Sequence, residues 1–390
     1  MKLKGMLLGG LAAALLASPA LAQKTVRIGL IMPYSGQFAD TATQMDNAIK
    51  LYVKQHGDTV AGKKLEFIRK DSGGIAPDVA KRLAQELVVR DKVDIIGGLI
   101  LTPNALAVGD VSAEAKKFTV IMNAATSIIT TKSPYMARTS VTTPMLNESF
   151  GAWAAKNGVK KVFTMVSDYG PGIDAEEGFQ RAFKEAGGQI VGSVRFPVAN
   201  PDFSAFVQRA KDTNPDGIYV WVPGGVQPAA VGKAFAERGI DAKKVKIMGQ
   251  DVLTDDGALK SMGETSLGFV TVANYDFNHD SKLNKAFVKA FNDAYKRNPD
   301  IFSIGGYDGM HLIYETLKKT KGNTDGDALI AAAKGMKWES PRGPMMIDPQ
   351  TRDVVENVYI RRVDKVGGRL MNVEFDKIDM VKDPVKARMK

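Results

Sequence analysis

Short apolar runs rich in β-branched residues alternate along the first third of the chain with segments whose apolar residues recur at helical spacing. Runs of the first kind are typical of buried parallel strands, because such strands have helices packed on both faces of their sheet. The strand-like runs are 26–32, 64–69, 93–98 and 118–122, and the helical segments between them are 42–55, 79–89 and one that begins at Pro103. Since each strand is followed by a helix, the pattern predicts a parallel, doubly wound sheet.

The same alternation begins again near residue 144 and predicts a second sheet. Its strand-like runs are 161–166, 189–196, 217–222 and 245–248, and its helical segments are 144–156, 173–186, 203–211 and 226–237. A strand-like run at 267–273, helices at 281–297 and 307–319, and short strands at 344–347 and 354–363 follow. A chain of 390 residues is also longer than a single core usually supports. We therefore predict an α/β protein with two doubly wound, Rossmann-like lobes joined by a tight hinge.

The N-terminus has the layout of an export signal. Two lysines precede an apolar run at 6–16, and the small-residue sequence Ala20-Leu21-Ala22 follows this run. The layout predicts a secretory signal peptide over residues 1–22, cleaved near Ala22. The run is shorter than the roughly 20 apolar residues that a membrane-spanning helix needs. The chain contains no cysteine, which excludes disulfides and a lipid-modified cysteine, and we expect the mature protein in the periplasm.

Composition argues against nucleic-acid binding and against catalysis. The formal net charge is +10, but the lysines and arginines are spread along predicted helical faces, which is typical of a solvated surface. His56, His279 and His311 are far apart and lack the spacing of metal ligands. No nucleophile elbow and no phosphate-binding glycine motif occurs in the sequence. We expect a protein that is not an enzyme, binds no nucleic acid and needs no cofactor or metal.

Polar loops follow two neighbouring strands of the first predicted sheet. The ends of parallel strands at this edge of an open α/β sheet are where ligands bind. The candidate ligand-binding residues in these loops are Leu101, Thr102, Asn123, Ala124, Thr126 and Ser127. Hydroxyl groups, free backbone N–H groups and the helix N-terminus at Pro103 together suit a carboxylate. Helix capping by these side chains is the alternative interpretation.

The second predicted sheet contributes candidates in the same position, after its strands. Tyr169 can close over a ligand with its ring and donate through its hydroxyl. Gly224 allows close approach of the backbone, or forms an ordinary turn. Asp251 can pair with a cationic group of a ligand, or can cap the helix that follows it.

At these residues the chain resembles the type I periplasmic solute-binding proteins of ABC importers, in particular the branched-chain (Leu/Ile/Val) amino-acid-binding family. The segments that carry the resemblance are Ile28-Gly29-Leu30 through Ser35-Gly36, the strand ending at Asp71, Ile95-Ile96-Gly97-Gly98, Asn123-Ala124-Ala125-Thr126, Asp168-Tyr169-Gly170, Gly249-Gln250-Asp251 and Tyr307-Asp308-Gly309. The resemblance implies two lobes joined by three crossovers. We place the crossovers near residues 141–143, 274 and 357. Lobe one then comprises 24–141 plus 275–357, lobe two comprises 142–274 plus 358–375, and a loosely packed tail comprises 376–390.

The resemblance also implies a function and roles for particular residues. The family closes on a small ligand like a hinged trap and delivers it to a membrane permease. The positions that match Thr102, Ala124 and Thr126 hold the carboxylate of the ligand in that family. The positions that match Tyr169 and Asp251 lie on the closing lobe. We expect a monomer with a small-molecule carboxylate and the permease of the importer as its partners.

One departure from the family pattern bears on the ligand. Amino-acid binders of the family usually have an aspartate just after the first crossover, where it contacts the ammonium group, and this chain has Thr142-Thr143-Pro144 instead. A buried ammonium with too few counter-charges is unfavourable. Apolar residues at 100–101, 122 and 145 suggest apolar walls, so we favour an aromatic or otherwise hydrophobic carboxylate as the ligand.

Other functions remain open at this stage. A branched-chain or other hydrophobic amino acid is the alternative ligand, with Asp251 as the partner of its ammonium group. A ligand-sensing receptor of the same fold is a second alternative. A transcription regulator would need an N-terminal DNA-binding helix-turn-helix, whereas this chain begins with a predicted signal peptide.

Overall fold

The structure, a computed structural model, describes residues 25–389, so the predicted signal peptide and its cleavage near Ala22 lie outside the described residues. The strands are β1 (Thr25–Met32), β2 (Thr59–Val60), β3 (Lys63–Asp71), β4 (Ile95–Gly98), β5 (Phe118–Ile121), β6 (Met136–Arg138), β7 (Lys161–Ser167), β8 (Gln189–Phe196), β9 (Gly217–Trp221), β10 (Lys246–Gln250), β11 (Val270–Ala273), β12 (Lys337–Ser340), β13 (Gly343–Ile347), β14 (Val354–Val366) and β15 (Arg369–Val381). They form two separate sheets, one for each lobe.

Helices cover both faces of each sheet. They are α1 (Ala39–His56), α2 (Pro77–Val89), α3 (Thr102–Glu114), α4 (Thr143–Lys156), α5 (Gly170–Glu185), α6 (Phe203–Asp212), α7 (Gln227–Glu237), α8 (Asp256–Met262), α9 (Lys282–Tyr295), α10 (Ile301–Lys319), α11 (Gly326–Ala333) and α12 (Pro384–Arg388). Short 3₁₀ turns connect some of them. Among the described residues no helix is both long and apolar enough to cross a bilayer.

The sheet of lobe one has the strand order β2-β3-β1-β4-β5-β6, and its strands run parallel apart from the β2–β3 hairpin. Along β1, Ile28 and Leu30 pack towards α1 and α10, whereas Ile31 packs towards α2 and α3. Both faces of the strand are therefore apolar, which explains its continuous apolar run.

The sheet of lobe two has the order β12-β13-β14-β11-β10-β9-β7-β8, with β15 paired to β14. Strands β7 to β11 are parallel, and β12 to β15 form an antiparallel extension at one edge. The helices α4 and α5 cover one face, and α6, α7 and α8 cover the other. The prediction of two doubly wound α/β lobes is confirmed.

The chain passes between the lobes three times. It leaves lobe one between β6 and α4, returns between β11 and α9, and leaves again between α11 and β12. The sequence analysis placed the third crossover near Asn357, and that position is wrong because β12 already pairs within the second sheet from Lys337 onwards. Alternating apolar residues identify the strands there, but they do not identify the sheet that the strands join.

The prediction of a loosely packed tail at 376–390 is also wrong. Strand β15 continues to Val381, and the following segment, residues 382–388, is here called the C-terminal strap. Lys386 of the strap forms a buried ion pair with Asp353, 2.5 Å between Nζ and Oδ2, and Asp383 of the strap accepts from the hydroxyl of Ser127 in lobe one. Arg388 donates two hydrogen bonds to Glu148 on α4 of lobe two, at 3.0 and 2.7 Å. The strap therefore links the two lobes.

Helix α10 begins six residues before the predicted start at Tyr307. Asp300 and Ser303 form a reciprocal capping box, in which the Asp300 carboxylate accepts from the backbone of Ser303 and the Ser303 hydroxyl accepts from the backbone of Asp300. This pair supplies the partners that the first turn lacks. The early start brings Ile301 and Phe302 to the boundary between the lobes.

Candidate ligand-binding site

A cavity of about 710 Å³, counting the part open to solvent, lies between the two lobes at the carboxyl ends of the parallel strands. Apolar side chains form most of its wall: Phe38, Ile100, Leu101, Ile301 and Phe302 from lobe one, and Tyr169, Pro171, Trp221, Val222, Pro223 and Val252 from lobe two. The rings of Tyr169 and Trp221 are in contact, with 5.6 Å between their centroids.

Six of the nine residues predicted from the sequence line this cavity. They are Leu101, Thr102, Asn123, Tyr169, Gly224 and Asp251. Of the apolar positions predicted to form walls, Ile100 and Leu101 line the cavity. Met122 and Met145 do not, because Met122 packs between the first sheet and α10 and Met145 lies in the core of lobe two. The wall is nevertheless apolar.

One end of the site combines hydroxyl groups with helix N-termini. Thr102 begins α3 and Gly170 begins α5, and neither helix has a side-chain cap, so its first backbone N–H groups remain available. The hydroxyls of Thr102 and Thr126 are buried and have no hydrogen-bond partner among the described residues. A Cβ built on Gly170 would lie 3.1 Å from the Thr126 hydroxyl and 3.4 Å from Cγ2 of Thr102, so these three residues meet where the lobes meet. Donors arranged in this way suit an anion.

A buried arginine that the sequence analysis missed shapes the loop that carries Thr126. Arg138, which is 0% exposed, donates to the carbonyls of Ala124 and Thr126 at 2.9 Å each and to that of Ser127 at 3.2 Å. Its Nε and Nη2 also bond one carboxylate oxygen of Asp353, at 2.9 and 2.8 Å. Arg138 is therefore a positioning residue. An arginine at the end of a short strand gives no sequence signal of this role.

Two predicted contact residues on the same loop have other roles. The N–H of Ala124 donates to Leu99 and its carbonyl accepts from Arg138, so both of its polar groups are already bonded. The hydroxyl of Ser127 donates to Asp383 of the C-terminal strap, and the N–H of Ser127 donates to Asp174 on α5. Neither residue lines the cavity, and Thr126 does not line it either, but unlike them Thr126 has a hydroxyl without a partner among the described residues. Their assignment as ligand contacts is wrong because protein groups satisfy them.

The lining of the cavity also includes hydrogen-bond acceptors. Asp251, which is 2% exposed, uses Oδ1 to accept from the N–H of Val252 at 2.8 Å and from Gln250 at 3.3 Å, and its Oδ2 has no partner among the described residues. Burial raises the pKa of the Asp251 carboxyl to about 6, although Arg361 opposes the shift. This carboxyl is therefore placed to gain from a donor that a ligand supplies.

Asn274 and Arg342 also line the cavity, although the sequence analysis did not select them as site residues. Asn274 donates to Glu356 at 3.2 Å, and its own Oδ1 has no partner among the described residues. The Arg342 guanidinium lies 2.9 Å from Asp308 and 3.2 Å from Glu356. Burial raises the pKa of Glu356 to about 7. The partners of these groups are distant in sequence, which is why no local motif reveals them.

The loop after β9 closes the cavity against lobe one. A Cβ on Gly224 would approach the Phe302 ring to 3.1 Å, and one on Gly225 would approach the carbonyl of Gln37 to 2.7 Å. Gly225 also has a φ of 83°, which favours glycine. These distances show that the lobes are in contact across the site, and the role of Gly224 in ligand binding stays a prediction.

Comparison with known proteins assigns the family. A family model described as periplasmic binding protein matches residues 25–368. The chain belongs to this family. Leu/Ile/Val-binding protein homolog 6 of Brucella melitensis is 38% identical to this periplasmic binding protein over 385 residues, which cover 98% of this chain and 99% of that protein. The resemblance to the Leu/Ile/Val-binding family is thereby confirmed.

Two solved structures resemble this periplasmic binding protein over nearly its whole length. One is a solute-binding protein of an ABC transporter from Rhodopseudomonas palustris BisB5 in complex with 3,4-dihydroxybenzoic acid. It has 53% sequence identity and a TM-score of 0.90, and the match covers 93% of this chain and 99% of that chain. The other is from Rhodopseudomonas palustris HaA2 in complex with p-hydroxybenzoic acid, with 40% identity, a TM-score of 0.90, and coverage of 94% and 100%.

Proposed function

We propose that this periplasmic binding protein captures an aromatic carboxylate of the benzoate type and delivers it to the membrane permease of an ABC importer. The observation that carries the proposal is a cavity with apolar and aromatic walls whose lining includes Thr102, the first residue of α3, with an unpartnered hydroxyl. The unpartnered hydroxyl of Thr126 and the first residue of α5, Gly170, lie next to Thr102. The aromatic ligands of the two similar structures support the same class of compound.

The carboxylate is bound at the end where the lobes meet. Thr102 and Thr126 donate their hydroxyl hydrogens, and the N-termini of α3 and α5 contribute backbone N–H groups and the positive ends of their dipoles. Hydrogen bonds to a charged acceptor contribute about 1.5–3 kcal/mol each. Because α3 belongs to lobe one and α5 to lobe two, the anion holds the lobes together.

The ring is bound by the apolar walls. Trp221 and Tyr169 of lobe two lie on one side, and Phe38 and Phe302 of lobe one contribute aromatic surface as well. Aromatic pairs contribute about 0.5–1.5 kcal/mol beyond their buried area. The apolar walls and the lack of an acidic residue at Thr142-Thr143 fit a simple carboxylate better than a zwitterion.

An amino acid is the second candidate ligand, because Asp251 has an unpartnered carboxylate oxygen and the Brucella relative is named for Leu/Ile/Val binding. In this alternative the ammonium group pairs with Asp251. A sensing role is compatible with the same fold, since a ligand-closed trap can regulate a signalling partner as well as a permease.

The cellular setting belongs to the proposal too. The signal peptide over residues 1–22 directs export, cleavage occurs near Ala22, and the mature protein works in the periplasm as a monomer without catalysis.

The test is a ligand panel on the mature protein, which is first unfolded and refolded to remove bound ligand. Thermal unfolding is followed with benzoate, hydroxybenzoates and phenylpropanoid acids, and with leucine, isoleucine, valine and phenylalanine as the opposing set. A ligand at about 100 times its Kd stabilises by roughly 2.7 kcal/mol, which is readily detected. We expect aromatic acids to stabilise and the amino acids not to. Stabilisation by the amino acids alone would overturn the proposal.

A further inference from the structure

Two buried hydrogen-bond acceptors belong to residues that line the cavity. Oδ2 of Asp251 and Oδ1 of Asn274 have no partner among the described residues, and both side chains are 2% exposed. Buried polar groups are nearly always hydrogen-bonded, and an unpartnered one is costly. Two such acceptors in one cavity therefore indicate a ligand that supplies donors.

Neighbouring side chains fix the orientation of Asp251. Gln250 accepts from the Trp221 indole at 2.8 Å and from Asn147 at 3.0 Å, so its amide nitrogen is directed towards Asp251. The N–H of Val252 bonds the same carboxylate oxygen as this amide, at 2.8 Å. One oxygen of Asp251 is thus held by the protein, and the other is left for the cavity.

Asn274 is oriented by its hydrogen bond to Glu356. Its amide nitrogen donates to Oε1 of Glu356 at 3.2 Å, and Glu356 lies 3.2 Å from the Arg342 guanidinium. Reversing the amide would turn its oxygen towards the carboxyl group. The amide oxygen therefore remains directed away from Glu356 as a fixed acceptor.

We propose that Asp251 and Asn274 recognise ring hydroxyl groups, so that the protein selects hydroxylated benzoates, and above all a benzoate with two ring hydroxyls, over benzoate itself. The proposal rests on the proposed function, because it assumes an aromatic carboxylate whose anion is bound at Thr102 and Thr126. Each phenolic hydroxyl carries one donor, so two hydroxyls satisfy the two acceptors without leaving any donor unpaired. Benzoate leaves both acceptors unpaired in a dry site, and sites built to bond a hydroxyl discriminate strongly against a ligand that lacks it.

A ligand ammonium fits these acceptors less well. It carries three donors, whereas Asp251 and Asn274 offer one unpartnered oxygen each, and the third donor would need the unpartnered hydroxyl of Ser140, which also lines the described cavity. Arg342 also lines the cavity, so its positive charge would repel the ammonium group of the ligand.

The test measures dissociation constants by calorimetry for benzoate, 3-hydroxybenzoate, 4-hydroxybenzoate and 3,4-dihydroxybenzoate. The variant is Asp251→Asn, and Asp255→Asn is its matched control. In Asp251→Asn the oxygen of the new side chain keeps the bond to Val252, so the amide nitrogen replaces the free acceptor with a donor. Asp255 caps α8, a role that asparagine also fills, and it does not line the ligand cavity.

We expect the wild-type protein to gain about tenfold or more in affinity for each hydroxyl that reaches an acceptor. In Asp251→Asn the ratio between the affinities for a hydroxylated benzoate and for benzoate should fall by about tenfold. Asp255→Asn should keep the wild-type series. An Asn274→Ala variant that retains the wild-type unfolding midpoint should lose the other gain.

The outcomes separate the two proposals. Aromatic acids that bind with equal affinity whether or not they carry hydroxyls would overturn this subsite and leave the proposed function intact. A wild-type preference for hydroxylated ligands that survives in Asp251→Asn would overturn the role of Asp251. Binding of leucine without any aromatic acid would overturn both the subsite and the proposed function.

Discussion

Thr126 and Ser127 are neighbours in the chain, both carry a hydroxyl group and both are buried, yet their hydroxyls have opposite surroundings. The Thr126 hydroxyl lies beside Gly170 at the ligand end of the site and has no partner among the described residues. The Ser127 hydroxyl donates to Asp383 of the C-terminal strap. Both contacts lie where the lobes meet. The protein completes one of them itself, and we propose that a ligand completes the other.

The same difference distinguishes the polar groups of the C-terminal strap, which are bonded within the protein, from those of the cavity, which are left for a ligand. At the strap, Lys386 pairs with Asp353, and Asp383 accepts from Ser127 and from the backbone of its own helix. In the cavity, Thr102, Asp251 and Asn274 each leave one polar atom unpartnered among the described residues. When the lobes are closed without a ligand, these buried atoms lack hydrogen bonds, which is unfavourable. A ligand that bonds them therefore favours the closed state.

Replacing Arg138 should have the largest effect, because this residue serves both regions. Arg138→Met leaves the carboxylate of Asp353 with fewer partners and frees the three carbonyls of the loop that carries Thr126. Removing one partner of a buried ion pair lowers the free energy of unfolding by about 3–5 kcal/mol. Urea unfolding measures it. Arg27→Met, at an ion pair with Glu66 in which both side chains are about half exposed, is the control and should cost less than about 1 kcal/mol.

If Arg138→Met matched the control in stability, the buried network around Asp353 would not hold the loop. If stability fell but the affinity of the folded fraction for an aromatic acid stayed unchanged, the positioning role would be contradicted.

Removing the hydroxyl of Thr126 should weaken ligand binding, whereas removing the hydroxyl of Ser127 should lower stability. Thr126→Val removes a donor to the ligand and should weaken aromatic-acid binding by about 1.5–3 kcal/mol while leaving the ligand-free protein as stable as before. Ser127→Ala leaves Asp383 without its donor and should lower the free energy of unfolding by about 1–3 kcal/mol with little change in Kd. Calorimetry and urea unfolding of both variants provide the four values. Equal effects of the two variants on Kd would contradict the division between the regions.

The smallest effect concerns pH. Because burial raises the pKa of Asp251, the folded protein holds this proton up to about pH 6, whereas the unfolded chain releases it near the ordinary value of 3.8. Between these values the folded state binds more protons, so the contribution of Asp251 to stability falls as pH rises and levels off above about pH 6. From about pH 5 to pH 7 the loss is about 1 kcal/mol, and Asp251→Asn should remove it.

Urea unfolding of the ligand-free wild type and of Asp251→Asn at these two pH values is the measurement. Saturating 4-hydroxybenzoate should also reduce the pH dependence in the wild type, because a hydroxyl donor favours the ionised carboxylate, and benzoate should not. Parallel pH dependence in wild type and variant would contradict the assignment.

Much of the fold follows from the sequence because strands such as β1 and β4 and helices such as α1 have unambiguous periodicity. The sequence does not predict which sheet a strand joins. Strands β12 to β14 have ordinary strand patterns, and only their partners place them in lobe two. The C-terminal strap is polar, and its order depends on Asp353 and Glu148, which are distant in sequence.

The site was predictable where loops follow strands, as at Thr102, Tyr169 and Asp251, because the topology brings these loops to one edge. It was not predictable at Ser127, since a hydroxyl gives no sign in the sequence of whether protein or ligand will bond it. Arg342 and Asn274 were missed for a related reason. Asn274 reaches the cavity from a segment that connects the lobes, and Arg342 reaches it from the turn between β12 and β13. Their partners Asp308 and Glu356 come together only in the folded protein.

The indole of Trp221 gives the protein a built-in optical reporter. Its ring contacts Tyr169, its nitrogen is bonded to Gln250, and it lines the cavity, whereas Trp153 and Trp338, the other two tryptophans, do not. An aromatic ligand that enters the cavity should therefore change the fluorescence of Trp221, while the fluorescence of Trp153 and Trp338 serves as an internal reference. Removing the background with Trp153→Phe and Trp338→Phe would turn the unlabelled protein into a fluorescent sensor for its own ligand.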